Sequence, residues 1–163
     1  ILYRKRKTCF FFCVAEKIND LYSLIEYTDY LEQFKKYCLK LFSSIHTRLG
    51  WDVKSNENPL LVMLRATILH IIGRSGDEIV VNEAKQRFQR HLNGDFIDPN
   101  LRDAVYALVS YFGDEQTHEQ FKGLYETTDM TEEKVRILRA MGQSTHPKII
   151  EKTLGFIFES VCF

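Results

Sequence analysis

Along almost the whole chain, apolar residues recur three and four positions apart, and the runs are broken by glycines, prolines and short polar caps. A strand would alternate apolar with polar residues, and very little of the sequence does so. This periodicity points to an all-α protein. With 163 residues, 45% of them hydrophobic, the chain can bury one substantial core.

The punctuation divides the sequence into about eight helices. A first is expected over about Val14 to Ile25, with Val14, Ile18, Leu21, Tyr22 and Ile25 on one face. Asp29 with Glu32 reads as the capping signal of a second, whose stripe runs from Leu31 through Phe34, Cys38, Phe42 and Ile45 to Leu49 before Gly50. Asn58-Pro59 opens a third, because asparagine caps and proline fits a first turn that needs no amide hydrogen. That helix is apolar on most sides through Leu60, Leu61, Met63, Leu64, Ile68 and Ile72, so it should be central.

A fourth runs from Glu78 to Leu92, and Asp98-Pro99 repeats the cap-plus-proline start for a fifth. Thr117 with Gln120 reads as a capping box for a sixth, and Thr131 with Glu132 and Glu133 opens a seventh whose inner face would be Val135, Leu138 and Met141. Pro147 starts an eighth through Ile150, Leu154 and Phe158.

Short polar turns between these helices favour antiparallel neighbours. Pro59 and Pro99 lie about 40 residues apart, near the HEAT and armadillo repeat period. The expectation is an irregular α-solenoid of antiparallel helix pairs, with a compact orthogonal bundle as the alternative. Residues 1–15 read as a poorly ordered leader and 16–163 as a single helical domain. A first residue of isoleucine, Ile1, reads as the mark of a fragment or a processed product.

Lysine plus arginine and aspartate plus glutamate both number 22, which removes any global attraction to nucleic acid or an anionic membrane. The basic run Arg4 to Lys7 is short and continues along no helix. The apolar stretch after it is far too short to span a bilayer. Cys9, Cys13, Cys38 and Cys162 lack the spacing of a disulfide scaffold or zinc ribbon, which fits a reducing, cytoplasmic setting. Cys9 and Cys13 could share a helical face and recruit a metal, but nothing near them completes a tetrahedral set. They read instead as small apolar side chains.

No catalytic constellation emerges. His118-Glu119 imitates the start of the zinc-peptidase His-Glu-x-x-His motif, but Lys122 occupies the second ligand position. His46, His91 and His146 lie in polar contexts, while His70 interrupts an apolar run and reads as a hydrogen-bonded core histidine. Arg65 and Arg102 each sit in a strongly apolar helix, where an unpaired guanidinium is costly. Each should hold adjacent helices together through carboxylates or free carbonyls, with a ligand carboxylate as the second option. Tyr106 and Tyr125 carry the same ambiguity, packing being the default.

The residues Arg48-Leu49-Gly50-Trp51-Asp52, Leu64-Arg65, Glu83-Ala84, Arg87-Phe88, His91, Gly94, Leu101-Arg102, Val105-Tyr106, Asp129-Met130, Glu132-Glu133-Lys134 and Arg136-Ile137 share their order and spacing with one family. The chain from about residue 16 to 158 resembles the C-terminal HEAT-like domain of the gluzincin zinc aminopeptidases, in their puromycin-sensitive branch. That family also includes aminopeptidase N and the antigen-trimming aminopeptidases of the endoplasmic reticulum.

The resemblance implies a non-catalytic domain that encloses a peptide chamber and limits access to it. Its partners would be its own catalytic domain and the peptide substrate, with zinc held upstream and no cofactor, metal or catalytic residue in this chain. Arg65, Arg102 and Tyr106 are the candidate chamber or inter-helix contacts. A free-standing α-solenoid that binds peptides or proteins on its concave face is the competing reading.

Overall fold

The computed structural model describes the backbone of residues 2–161 and the side chains of residues 8–160. Among the described residues there are eight helices and no strand: α1 (Leu2–Ile25), α2 (Leu31–Leu49), α3 (Pro59–Arg74), α4 (Glu78–Leu92), α5 (Pro99–Tyr111), α6 (Glu115–Thr127), α7 (Thr131–Met141) and α8 (Pro147–Val161). The protein is all-α. No described helix is long and apolar enough to cross a membrane.

Contacts divide the chain into two compact units. The first takes in the described residues up to Val80 together with Asp98–Ala104, and the second Val81–Ile97 together with the residues from Val105 onward. In the first unit, α1 and α2 both pack against α3. Leu64, Ile68, Leu69, Ile71 and Ile72 of α3 are almost fully buried, so α3 is the centre of this unit, although Met63 points to solvent. In the second unit, α6, α7 and α8 pack on one another. Its core is aromatic: Phe88, Tyr106 and Phe121 are all buried, with ring centroids 4.6 to 5.7 Å apart.

Several helix starts follow the predicted chemistry. The Asn58 side chain accepts the Leu60 amide at 3.0 Å with Pro59 in the first turn, and Asp98 accepts the Asn100 amide at 2.9 Å. Gly50 closes α2 at φ 63°, a conformation that favours glycine.

Other starts differ. The helix expected from Val14 begins at Leu2, because Ala15 and Tyr22, both fully buried, continue a face that extends back through Phe11. Residue 15 is therefore no boundary in the backbone. The basic run Arg4 to Lys7 lies within this helix, and its side chains are outside the described residues. Asp29 does not cap α2. A tight turn, with Thr28 bonded to the Ile25 carbonyl, leaves the preceding Tyr30 at φ −86°, ψ −8°, whereas a side-chain cap needs extended backbone. The cap of α6 is Asp114, which accepts the Thr117 amide at 3.0 Å, so Thr117 is the donor rather than the cap.

Two helices depart from the face expected, α7 only in part because its Met141 is buried as expected. On α7 the buried residues are Glu133, Ile137, Ala140 and Met141, while Val135 is exposed. On α8 the buried line is Ile149, Thr153 and Phe156, and the predicted core stripe of Ile150, Leu154 and Phe158 faces solvent. This helix is apolar on both sides, so periodicity alone does not select the buried one.

Candidate functional site

Arg65 is drawn into α3 by its position among leucines and isoleucines, and only 1% of it is exposed. A guanidinium so placed needs acceptors for all its donors. Two come from the end of α2, where Nε donates to the Gly50 carbonyl at 3.1 Å and Nη2 to the Leu49 carbonyl at 3.3 Å. Those carbonyls are free because the helix stops there. Glu57 supplies the counter-charge, Oε1 accepting from Nη2 at 2.8 Å and Oε2 lying 2.7 Å from Nη1 as an ion pair. The hydrogen bond from Arg65 holds the Glu57 carboxyl below its ordinary value.

Beside this clamp, the first unit carries an open groove of about 860 Å³. Phe11, Ile45, Leu49, Leu61 and Leu64 form its apolar lining, and Arg48 and Lys54 stand on it as cations. With Glu57 committed to Arg65, the groove is apolar with a basic margin, which suits an apolar chain bearing carboxylate groups.

A second clamp in the same unit went unread in the sequence. Tyr22 donates its hydroxyl to the Arg74 carbonyl at 2.8 Å, the Arg74 guanidinium lies 4.4 Å from the Tyr22 ring centroid, and Arg74 pairs with Glu26 at 2.7 Å. His70, one turn before Arg74, is half-buried; burial, reinforced by the Arg74 charge, pushes its pKa down to about 4. His70 is thus neutral at ordinary pH.

Tyr106 is fully buried in the second unit, stacked edge-on with Phe88 and Phe121, and donates to Glu133 at 2.9 Å. Glu133 is itself buried and pairs with Arg136. A glutamate in the first turn of α7 reads in sequence as a solvated partner of the helix dipole, which hid this role. Arg102 is half-buried on α5 within the first unit. Arg65 and Tyr106 therefore belong to different clamps in different units. Tyr125 packs edge-on against Phe156, 5.2 Å between centroids.

His118 is buried near the start of α6, with Nδ1 3.5 Å from a Glu119 carboxylate oxygen. Among the described residues, no three histidine, cysteine, aspartate or glutamate side chains are grouped to hold a metal ion.

Comparison with known proteins matches residues 7–161 to the model of the ERAP1-like C-terminal domain family. Aminopeptidase M1-A of Oryza sativa subsp. japonica is 30% identical over 133 residues, covering 78% of this chain and 15% of the relative. Alanine/arginine aminopeptidase of Saccharomyces cerevisiae is 26% identical over 156 residues, 91% of this chain and 18% of the relative. Puromycin-sensitive aminopeptidase of Caenorhabditis elegans is 25% identical over 132 residues, 80% of this chain and 14% of the relative. The chain thus spans less than a fifth of the length of these relatives, and the match extends N-terminal to residue 16.

Proposed function

Because the chain belongs to the ERAP1-like C-terminal domain family, we propose that it is the non-catalytic C-terminal domain of a zinc metalloaminopeptidase, enclosing a peptide chamber and governing access to it. The observation that carries this reading is the family match over residues 7–161 in a chain whose described residues form eight helices and no strand. Zinc and the residues that activate water belong to the catalytic domain of the parent enzyme. The contribution of this chain is to bind, orient and exclude.

Two surfaces support such a role. The groove of the first unit, apolar and edged by Arg48 and Lys54, is the face offered to peptide side chains and carboxylates. The exposed stripe of Ile150, Leu154 and Phe158 on α8 is the face offered to the catalytic domain, since an apolar row of this kind is normally covered. A cytoplasmic setting is in keeping with Cys9, Cys13 and Cys38, all free thiols.

The test is a chimera in which residues 7–161 replace the matching segment of the rice aminopeptidase M1-A. Release of N-terminal residues should persist on short peptides and fall with peptide length, and Leu154→Asp should weaken assembly. A chimera whose length preference is unchanged when Arg48 and Lys54 are both replaced by alanine argues against the groove. Zinc-dependent hydrolysis by the 163-residue chain alone would overturn the whole reading.

A further inference from the structure

We propose that Cys9 and Cys13 form a surface dithiolate site for one soft, two-coordinate metal ion, of which Cu(I) is the type. The two residues are four apart on α1, so their side chains leave the same face of the helix. Both are exposed, so the pair is open to solvent rather than packed as small apolar groups, and partial desolvation followed by the neighbouring Cys9 holds the Cys13 thiol above its ordinary value.

Geometry decides what such a pair can hold. Helical positions four apart place their Cβ atoms about 5–6 Å from each other. A disulfide needs about 3.5–4.5 Å, so closing one would pull the helix out of shape. A bridging ion with two metal–sulfur bonds, each about 2.3 Å in zinc thiolates, reaches across without that distortion. Zinc itself prefers four ligands, and no third metal-binding side chain is grouped with the pair among the described residues. Thiolate softness and a coordination number of two both select Cu(I). Binding forms two metal–sulfur bonds and releases the two thiol protons to solvent.

Cys38 provides an internal control. It is fully buried, so unlike the exposed pair it does not meet an incoming ion.

The experiment is titration of the full chain with Cu(I) against a chromophoric Cu(I) chelator, followed by X-ray absorption of the loaded protein. The expected result is one ion per chain in a two-sulfur shell, with binding lost in Cys9→Ser and in Cys13→Ser but kept in Cys38→Ser and Cys162→Ser. Both variants of the pair change exposed positions and should keep the circular dichroism of the parent chain. Unchanged uptake in Cys13→Ser, a shell of three or more sulfurs, or one ion shared between two chains would each overturn the proposal.

Discussion

The hydroxyl of Tyr106 donates to the Glu133 carboxylate across 27 residues of sequence, at 2.9 Å and within the buried core of the second unit. A charged acceptor in such surroundings makes the bond stronger than a neutral one. Tyr106→Phe keeps the ring packing on Phe88 and Phe121 and removes only the donor. Urea unfolding should show a loss of about 1.5–3 kcal/mol, the range for hydrogen bonds to charged groups. A loss no larger than that of an exposed tyrosine, such as Tyr37→Phe, would mean that the bond contributes nothing.

Removing one partner of the Arg65–Glu57 pair strands the other charge in the core of the first unit. Arg65→Ala should lower stability by about 3–5 kcal/mol, as breaking buried ion pairs does. The double replacement Arg65→Met with Glu57→Gln should recover much of that loss, and comparing the melts of these two variants with that of the parent chain measures it.

The same pair sets an acid limb. Since Arg65 lowers the Glu57 pKa on folding, its contribution is complete above the ordinary carboxylate value of 4.5 and is lost as pH falls through the lowered value. Stability measured from pH 5 downward should fall less steeply in Glu57→Gln than in the parent chain.

His70 acts in a higher window. Its pKa drops from 6.5 to about 4 on folding, so the unfolded chain takes up the proton first. Stability should be full above pH 6.5 and decline as the pH is lowered to about 4. Chemical unfolding of His70→Gln across that interval should show a flatter profile, and an identical slope would remove His70 as the cause.

Gly113 joins α5 to α6 at ordinary φ, and its constraint is space rather than backbone angle. A Cβ there would lie 2.6 Å from the Val109 carbonyl oxygen and 2.7 Å from the Thr117 Cγ2. Gly113→Ala should therefore destabilise by about 1–3 kcal/mol, the usual penalty for overpacking. Gly123→Ala, inside α6 where nothing lies within 4 Å, should instead stabilise by about 0.5–1 kcal/mol in the same thermal melt.

Where helices begin and end was readable wherever one local rule operated. Asn58-Pro59 and Asp98-Pro99 placed α3 and α5, and the bounds of α4 coincide with Glu78 and Leu92. Which face a helix buries was harder. On α8, Ile149 and Ile150 both belong to apolar rows, and only the packing of Phe156 on Tyr125 selects the first. On α7, the inward carboxylate of Glu133 is held by Tyr106 and Arg136, so a long-range bond overrode the preference for solvated charge.

At the candidate sites, sequence identified Arg65 as a side chain in need of acceptors, because an arginine among leucines is conspicuous. It offered no sign of Glu57, which lies in a polar loop among other hydrophilic residues. Arg74 and Tyr22 were hidden for the opposite reason, each matching an ordinary helical pattern while the contact spans 52 residues.

Two of the groups that receive Arg65 are peptide oxygens, at Leu49 and Gly50. A peptide oxygen is present whatever side chain occupies the position. Mutational drift at residue 49 is therefore free as far as this attachment is concerned, constrained only by its packing, whereas a change at residue 57 or 65 alone strands a buried charge.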